Sequence, residues 1–560
     1  MLAAGAQLIR IKGGKIYDPA HGVDGEIRDV YVQDGRIVAA PAPDAPAAIE
    51  YDCSGMAIMA GAIDLHTHIG GGKVNIARAM LPEDHRYTRR ARTALSRSGS
   101  GHAAPSTFAA GYRYAEMGYT ACFEPAMLPS NARQAHMEMG DTPIVDKGAY
   151  ALLGNDDFLL RLLAGKADPA IVRDYVAWTL RATQALGIKV VNPGGISAFK
   201  FNARKLDVDE TAPYYGVTPR SILAALTQAL HELGVPHPLH VHASNLGVPG
   251  NVDSTLATMD AAEGRPIHLT HIQFHSYGTE GDRKFSSGAA RIAEAINARR
   301  NVTADVGQVL FGQTVTASGD SMAQYRNSRH AHPNKWVCMD IECDAGCGVV
   351  PFRYRDQNFV NALQWAIGLE IFLLVDDPWR VFLTTDHPNG APFTGYPHLV
   401  RLLMDRTFRD ERLAQIHPDA AAASTLGSIR REYSLYEIAI MTRAAPARIL
   451  GLRDRGHLAP GAAADIVVYS DRPDREAMFA RPEYVFKDGR LVAQRGQIVA
   501  VTRGATHTVK PEFDRSIERP LRDYFDRYHT VAFDNVPIDA GEMVECGSRE
   551  ILVQPCAGRT

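Results

Sequence analysis

The apolar residues of the central chain follow strand-like and helix-like patterns in alternation. Residues 172–187 and 219–234 have apolar side chains at helical spacing. Short runs rich in β-branched residues precede and follow them, as expected for strands. These runs are GIKVVN, PLHVHAS, PIHLTHIQF, NVTADVGQV and RVFLTTD. Repeated βα units of this kind predict a parallel sheet, either open or closed into a barrel.

Both ends of the chain have the pattern of short antiparallel strands instead. Asp34-Gly35 lies between DVYVQ and RIVAA, and Asp488-Gly489 lies between YVFK and RLVAQ. Asp-Gly between two such runs is a type I′ hairpin signal. The segments 73–112, 276–290 and 313–360 are predicted to be insertions. The residues after 503 show no clear period and form an appended segment.

Composition places the chain among ordinary globular proteins. It has 560 residues, 46% of them hydrophobic, with 60 basic against 63 acidic side chains. This balance creates no overall field that would attract nucleic acid or an anionic membrane. The N-terminus lacks the apolar core of a signal peptide, and the longest apolar stretch, 366–375, is too short to span a bilayer. We expect a cytoplasmic protein.

The cysteines predict neither a disulfide framework nor an iron–sulfur cluster. There are seven, without paired CxxC motifs. Cys338, Cys343 and Cys347 have a spacing that fits neither zinc ribbons nor ferredoxins. We expect these three to be buried structural thiols.

Metal-ligating residue types concentrate at the ends of the predicted strands. His66-x-His68 places two imidazoles on one face of a strand, where both can reach a single ion. The other candidates are His240 and His242, His268 and His271, and Asp386. Lys189, one of only twelve lysines, lies late on another apolar strand. A buried lysine is costly unless paired or modified, and carbamylation by CO₂ would make it an anionic ligand able to bridge two metals.

In this order, the motifs resemble the metal-dependent amidohydrolase superfamily over about residues 7–500. The resemblance implies an α/β fold. It consists of a TIM-like (β/α)8 barrel over residues 61–445 and a small β-sandwich built from 1–60 and 446–502, followed by an extension, 503–560. The implied ligands are His66 and His68 on one divalent ion, carboxylated Lys189 between both ions, His242 and His271 on the other ion, and Asp386 on the first ion.

Several neighbouring residues remain alternatives to these ligands. His240 and His268 are alternatives to His242 and His271, and Lys200 in SAFKFN is an alternative to Lys189. The chain has VVN after Lys189, where the urease branch has HED, so urease activity is not expected.

A closer similarity is to the amidohydrolase subunits of formylmethanofuran dehydrogenases and of formyltransferase/hydrolase complexes. The matching stretches include DLHTHIGGGKVNIARAMLPEDH, LHVHASNLGVPGN and LTTDHPNG. The similarity implies two zinc ions, a formylated methanofuran-type or methylofuran-type carrier as substrate, formamide hydrolysis that releases formate, and partner subunits. The alternatives are the same chemistry in the condensing direction, a free-standing cyclic amidase or N-acyl amino acid deacylase, and a catalytically inactive scaffold.

The resemblance also suggests roles near the metals. Asp386 is expected to take a proton from the nucleophile and return it to the leaving amine. Candidate substrate contacts, which are equally compatible with loop structure, are Lys73, Asn75, Arg78, Asn192, His387 and Asn389. The segment 85–102 has five arginines and no acidic residue: Arg86, Arg89, Arg90, Arg92 and Arg97. These arginines either pair with the glutamate tail of the carrier or form a solvated loop or a contact with a partner subunit.

Overall fold

Eight parallel strands form the centre of the computed structural model, which describes residues 7–42, 47–195, 198, 205–341 and 345–557. The strands are β1 Ala62–Asp64, β2 Tyr119–Met127, β3 Asp146–Leu152, β4 Gly187–Val191, β5 Leu239–His242, β6 Ile267–Leu269, β7 Val302–Asp305 and β8 Val381–Phe382. Each pairs in parallel with the next. A parallel bridge between Thr67 and His387 joins the ends of β1 and β8. The sheet therefore curls round on itself as a TIM-like barrel, and the predicted fold class is confirmed.

Helices alternate with these strands. They include Thr107–Glu116, Ala132–Gly140, Asp157–Ala164, Pro169–Ala182, Pro219–Glu232, Val252–Asp260, Ala289–Ala298, Phe359–Leu374 and Tyr396–Met404. Pro169–Ala182 begins where the Asp168 side chain accepts a hydrogen bond from the backbone N–H of Ala170. Both helices expected from periodicity are present. Within the described ranges, no helix combines the length and apolar character that crossing a membrane requires.

Two barrel strands and the position of the first histidine pair differ from the expectation. β2 and β3 contain alanine, glycine, proline and cysteine in place of most β-branched residues, so their strand propensity is low. β1 ends at Asp64, so His66 and His68 lie on the segment after the strand rather than within it. The path of that segment, and not the alternation of side chains along a strand, sets the angle of 83° between the two imidazole rings.

A second sheet of nine strands combines both ends of the chain. Its strands are Ile9–Asp18, Val23–Gln33, Arg36–Val38, Ile49–Asp52, Met56–Ala60, Ile466–Ser470, Tyr484–Lys487, Arg490–Gln494 and Gln497–Ile498. At the first hairpin turn Asp34 and Gly35 have φ of 50° and 76°, and at the second Asp488 and Gly489 have 47° and 74°. Both turns therefore have the positive φ angles of type I′, as the sequence predicted.

The first and third predicted insertions pack against each other. Strands Gly312–Ser318, Val337–Ile341 and Ala345–Tyr354 form an antiparallel sheet, and Gly72–Met80 is a helix against it. Ala77 shares a buried apolar cluster there with Cys347. Burial raises the pKa of the Cys347 thiol to about 11, in keeping with a structural thiol. The expectation of a buried thiol is wrong for Cys338, which is only partly buried because its strand, Val337–Ile341, lies at the edge of the sheet. Cys343 lies outside the described residues.

The extension after residue 503 has more structure than its sequence indicates. Strands Thr506–Val509 and Ile551–Gln554 pair in parallel, and Thr506 pairs with Lys147 of β3. A helix, Glu518–Tyr528, lies between them in the chain. These strands were not recognised because their pairing with β3 joins segments far apart in the chain.

A buried ionic network connects the barrel with the nine-stranded sheet. Lys487 Nζ lies 2.9 Å from Asp146 Oδ2 and 2.8 Å from Asp465 Oδ2. Arg455 Nε lies 2.9 Å and 3.2 Å from the same two carboxylates. All four side chains are at most 3% exposed. Two cations therefore compensate the negative charge of each buried carboxylate.

We expect Lys487→Met to lower the free energy of unfolding by about 3–5 kcal/mol, because it leaves buried Asp146 and Asp465 undercompensated. Lys205→Met is the matched control, since Lys205 pairs with Asp207 at an exposed position and should change stability by less than about 1 kcal/mol. Urea unfolding of both variants measures the difference. Equal midpoints would contradict a stabilising role for the network.

Candidate metal centre

The six predicted ligands meet at one end of the barrel. His66 and His68 follow β1, Lys189 is in β4, and His242 ends β5. His271 follows β6 and Asp386 follows β8, both with positive φ, of 36° and 51°. The complete set, His66, His68, Lys189, His242, His271 and Asp386, is at most 4% exposed. This is the carboxyl end of the strands, where barrel enzymes assemble their active sites.

Short distances link these side chains into one cluster. His66 Nε2 lies 2.9 Å from Asp386 Oδ1 and 3.5 Å from Lys189 Nζ. His68 Nε2 lies 3.5 Å from the same Asp386 oxygen. The rings of His242 and His271 have centroids 4.6 Å apart, and His271 is 5.6 Å from His66.

The donor atoms of the cluster fit divalent metal ions. His66, His271 and Asp386 each place one donor atom within 4.8 Å of the others. The Nδ1 atom of His271 is buried and has no hydrogen-bond partner among the described residues. Imidazole nitrogens and a carboxylate are the donors that zinc and similar ions bind in proteins. The residues present therefore suit the metal ions that the sequence predicts.

Electrostatics in the cluster favour an ionised Asp386 and a partly neutral Lys189. Burial raises the pKa of Asp386, but His66 and His271 lower it more, and it lies well below its usual value. Burial lowers the pKa of Lys189 to about 8. At pH 7.5 about a quarter of such an amine is neutral, against about one in a thousand for an ordinary lysine. The neutral amine is the form that reacts with CO₂.

Two buried carboxylates orient the first histidine pair, and sequence reasoning missed both. Asp305, at the end of β7, lies 2.9 Å from His66 Nδ1 and accepts a 2.7 Å hydrogen bond from the backbone of His271. Glu124, within β2, lies 2.8 Å from His68 Nδ1. Such carboxylates fix the tautomer and ring orientation of ligating histidines. The position of Asp305 at a strand end was a usable signal, whereas Glu124 had none because β2 was not recognised.

The alternative histidines lie beside the cluster, on the side of His66 where its Nδ1 atom faces Asp305. His240 Nε2 is 3.0 Å from His66 Nδ1, on the side away from Asp386. His268 lies between the Thr303 hydroxyl, at 2.9 Å, and Asp305, at 3.2 Å. The alternative lysine, Lys200, lies outside the described residues.

A cavity of about 840 Å³ opens onto the centre. Five of the six predicted ligands line it: His68, Lys189, His242, His271 and Asp386. Lys73 and Asn389 also line it, and Asn389 Oδ1 accepts a 2.6 Å hydrogen bond from the backbone of Ala317. Two of the predicted substrate contacts therefore face the space in front of the cluster.

Three of the other four predicted contacts are held by neighbouring groups. Asn75 donates a 2.7 Å hydrogen bond to Glu138, with which Arg78 forms an ion pair. His387 Nδ1 accepts a hydrogen bond from the backbone of Phe393. Asn192 is buried and follows β4, and its Oδ1 has no hydrogen-bond partner in the described part of the chain.

The predicted basic segment lies outside the cavity lining. Arg90 pairs with Glu116 at 2.7 Å and Arg97 with Asp141 at 3.3 Å, whereas Arg89 and Arg92 are exposed. A different set of cations, all from the third insertion, lines the cavity: Arg326, Arg329, Arg353 and Arg355. Sequence analysis missed this set because its members are separated along the chain.

Comparison with known proteins identifies related chains. The model of the amidohydrolase family matches residues 50–493. One subunit of the formyltransferase/hydrolase complex Fhc of Methylorubrum extorquens is 46% identical, over 93% of this chain and 95% of the relative. Protein FwdA of Methanocaldococcus jannaschii is 40% identical, over 94% and 96%. The crystal structure of the complex FhcABCD of Methylorubrum extorquens with methylofuran contains a chain with a TM-score of 0.92 and 43% identity, covering 98% of this chain and 100% of that one.

Proposed function

This chain belongs to the amidohydrolase family, and we propose that it hydrolyses the formamide bond of a formylated furfurylamine carrier and releases formate. The observation that carries the proposal is the buried cluster of His66, Lys189, His271 and Asp386 at the mouth of a large cavity. The overall similarity to a chain of a complex bound to methylofuran supports the choice of carrier.

In this proposal the six ligands would hold two divalent ions, with zinc as the favoured metal. His66, His68 and Asp386 would hold one ion, His242 and His271 would hold the other, and Lys189, once carboxylated by CO₂, would contribute to both. Two such ions would supply an activated water molecule and polarise the formyl oxygen.

Asp386 is the residue that moves the proton. Its low pKa keeps it ionised at neutral pH, so its carboxylate can accept the proton of the attacking water. Oxygen adds to the formyl carbon, the carbon–nitrogen bond breaks, and Asp386 returns the proton to the departing amine nitrogen. Glu124 and Asp305 hold the imidazoles of His68 and His66 in one orientation throughout.

We further propose that the chain works in the cytoplasm as one subunit of a formyltransferase/hydrolase complex. Its similarity to a chain of such a complex extends over 98% of its length. The arginines that line the cavity supply positive charge along the route of a carrier with an acidic tail.

Replacing Arg89 and Arg92 by glutamine should raise the KM for a carrier with its glutamate tail about twofold to tenfold, because exposed ion pairs contribute modestly. Turnover of formylfurfurylamine without a tail should stay unchanged. Arg90→Gln is the comparison, since Arg90 already pairs with Glu116. Steady-state kinetics at low and high salt measure the effect. An equal loss on both substrates would assign the segment to folding or assembly.

Substrate comparison tests the proposed reaction. The metal-loaded protein is assayed for formate release from formylated furfurylamine, and for turnover of hydantoins and N-acyl amino acids. The proposal requires the formamide to be the preferred substrate. Preference for a hydantoin or an N-acyl amino acid would replace it with a cyclic amidase or a deacylase.

A further inference from the structure

A third histidine lies beside the pair from β5 and β6. We propose that His275 is an additional imidazole ligand of the metal position formed by His242 and His271. This inference rests on the metal centre of the proposed function and extends its ligand set, which so far contains two histidines at this position.

Local backbone geometry brings His275 to the group. The tight turn Ile272–His275 begins directly after His271 and returns the chain towards the same end of the barrel. The rings of His271 and His275 are stacked, with centroids 5.3 Å apart and planes at 27°. The His242 ring is 5.2 Å from His275 and 4.6 Å from His271.

The three rings converge on one point. His242, His271 and His275 each offer a nitrogen within 4.8 Å of the other two, and all three are at most 3% exposed. Three buried imidazoles on one position form the donor set typical of zinc and related ions. Both ring nitrogens of His275 and the Nδ1 atom of His271 are buried and have no hydrogen-bond partner among the described residues.

The surroundings are those of ligating imidazoles. His242 Nε2 lies 3.4 Å from Asp320 Oδ2, a carboxylate of the third insertion that also caps the helix Ser321–Asn327. An oxygen acceptor on one ring nitrogen is the usual partner of a histidine whose other nitrogen binds a metal.

Cobalt substitution of a His275→Cys variant tests the assignment directly. The full chain, with any subunits that copurify, is stripped of metal and reloaded with Co(II). A thiolate on cobalt gives a charge-transfer absorption band, so we expect the band in His275→Cys and not in the wild type. His136→Cys is the matched control, because His136 is equally buried but bonds the Thr183 carbonyl in a distant helix. A folded, cobalt-loaded His275→Cys protein without the band would overturn the proposal.

A second variant decides the question if the cysteine protein does not fold. His275→Gln keeps a polar side chain of similar length but is a poor metal ligand. We expect the more weakly bound of the two cobalt ions to lose at least about 100-fold in affinity. Loss of a direct ligand should cost more than the usual 10–100-fold loss caused by removing a group that only hydrogen-bonds to a ligand. Affinity equal to that of His136→Gln would overturn the assignment. Neither readout depends on formamide turnover. If the cobalt results are as expected but the protein releases no formate, the proposed reaction is refuted and the ligand assignment stands.

Discussion

Lys189→Ala should abolish the binding of both metal ions and lower kcat/KM for formylated furfurylamine by more than about 10³-fold. Loss of one electrostatic contact in an active site costs about 10²–10³-fold, and this change removes the anionic group that we assign to both ions. Metal analysis and formate release on one sample measure the two effects.

The matched control for this variant is Lys147→Met. Lys147 is an equally buried lysine at the start of β3, with a pKa lowered by burial to about 8, and it donates to the Thr142 carbonyl. The control should keep both metals. Bicarbonate with a short carboxylic acid should partly restore activity to Lys189→Ala only. Two tightly held metals and normal turnover in Lys189→Ala would exclude Lys189 as the bridging ligand.

Asp386→Asn should separate metal binding from turnover. An amide oxygen can still approach the cation, but it cannot accept a proton from water, so we expect kcat to fall by about 10²–10⁴-fold. Metal content should fall much less. Steady-state kinetics with metal analysis give both numbers, and a variant within threefold of the wild-type rate would remove Asp386 from the proton transfer.

The fold was predictable where local signals are strong. Asp34-Gly35 and Asp488-Gly489 adopt the turn that their sequence demands, and both expected helices are present. β2 and β3 were missed because burial in a parallel sheet does not require β-branched residues. The strands after residue 503 were missed because their pairing with β3 is non-local.

The six clustered residues of the candidate site were predictable, but the groups around them were not. His66-x-His68 and a polar residue at each later strand end give the cluster, since strand ends of a barrel converge. Asp305 could have been identified from its position at a strand end. Glu124 gave no such signal, because it lies within β2, which was not recognised, and acts through a histidine distant in sequence. His275 reaches the cluster only through the path of the turn Ile272–His275. Hydrophobic periodicity does not predict the path of such a turn.

We expect formamide hydrolysis by this chain to require a centre of two metal ions. A titration of metal-free protein with zinc in the presence of bicarbonate, with formate release from formylated furfurylamine measured at each step, tests this requirement. We expect release to rise with bound zinc and to reach its maximum at about two ions per chain. Full formate release without bound metal, or none at two ions per chain, would contradict it.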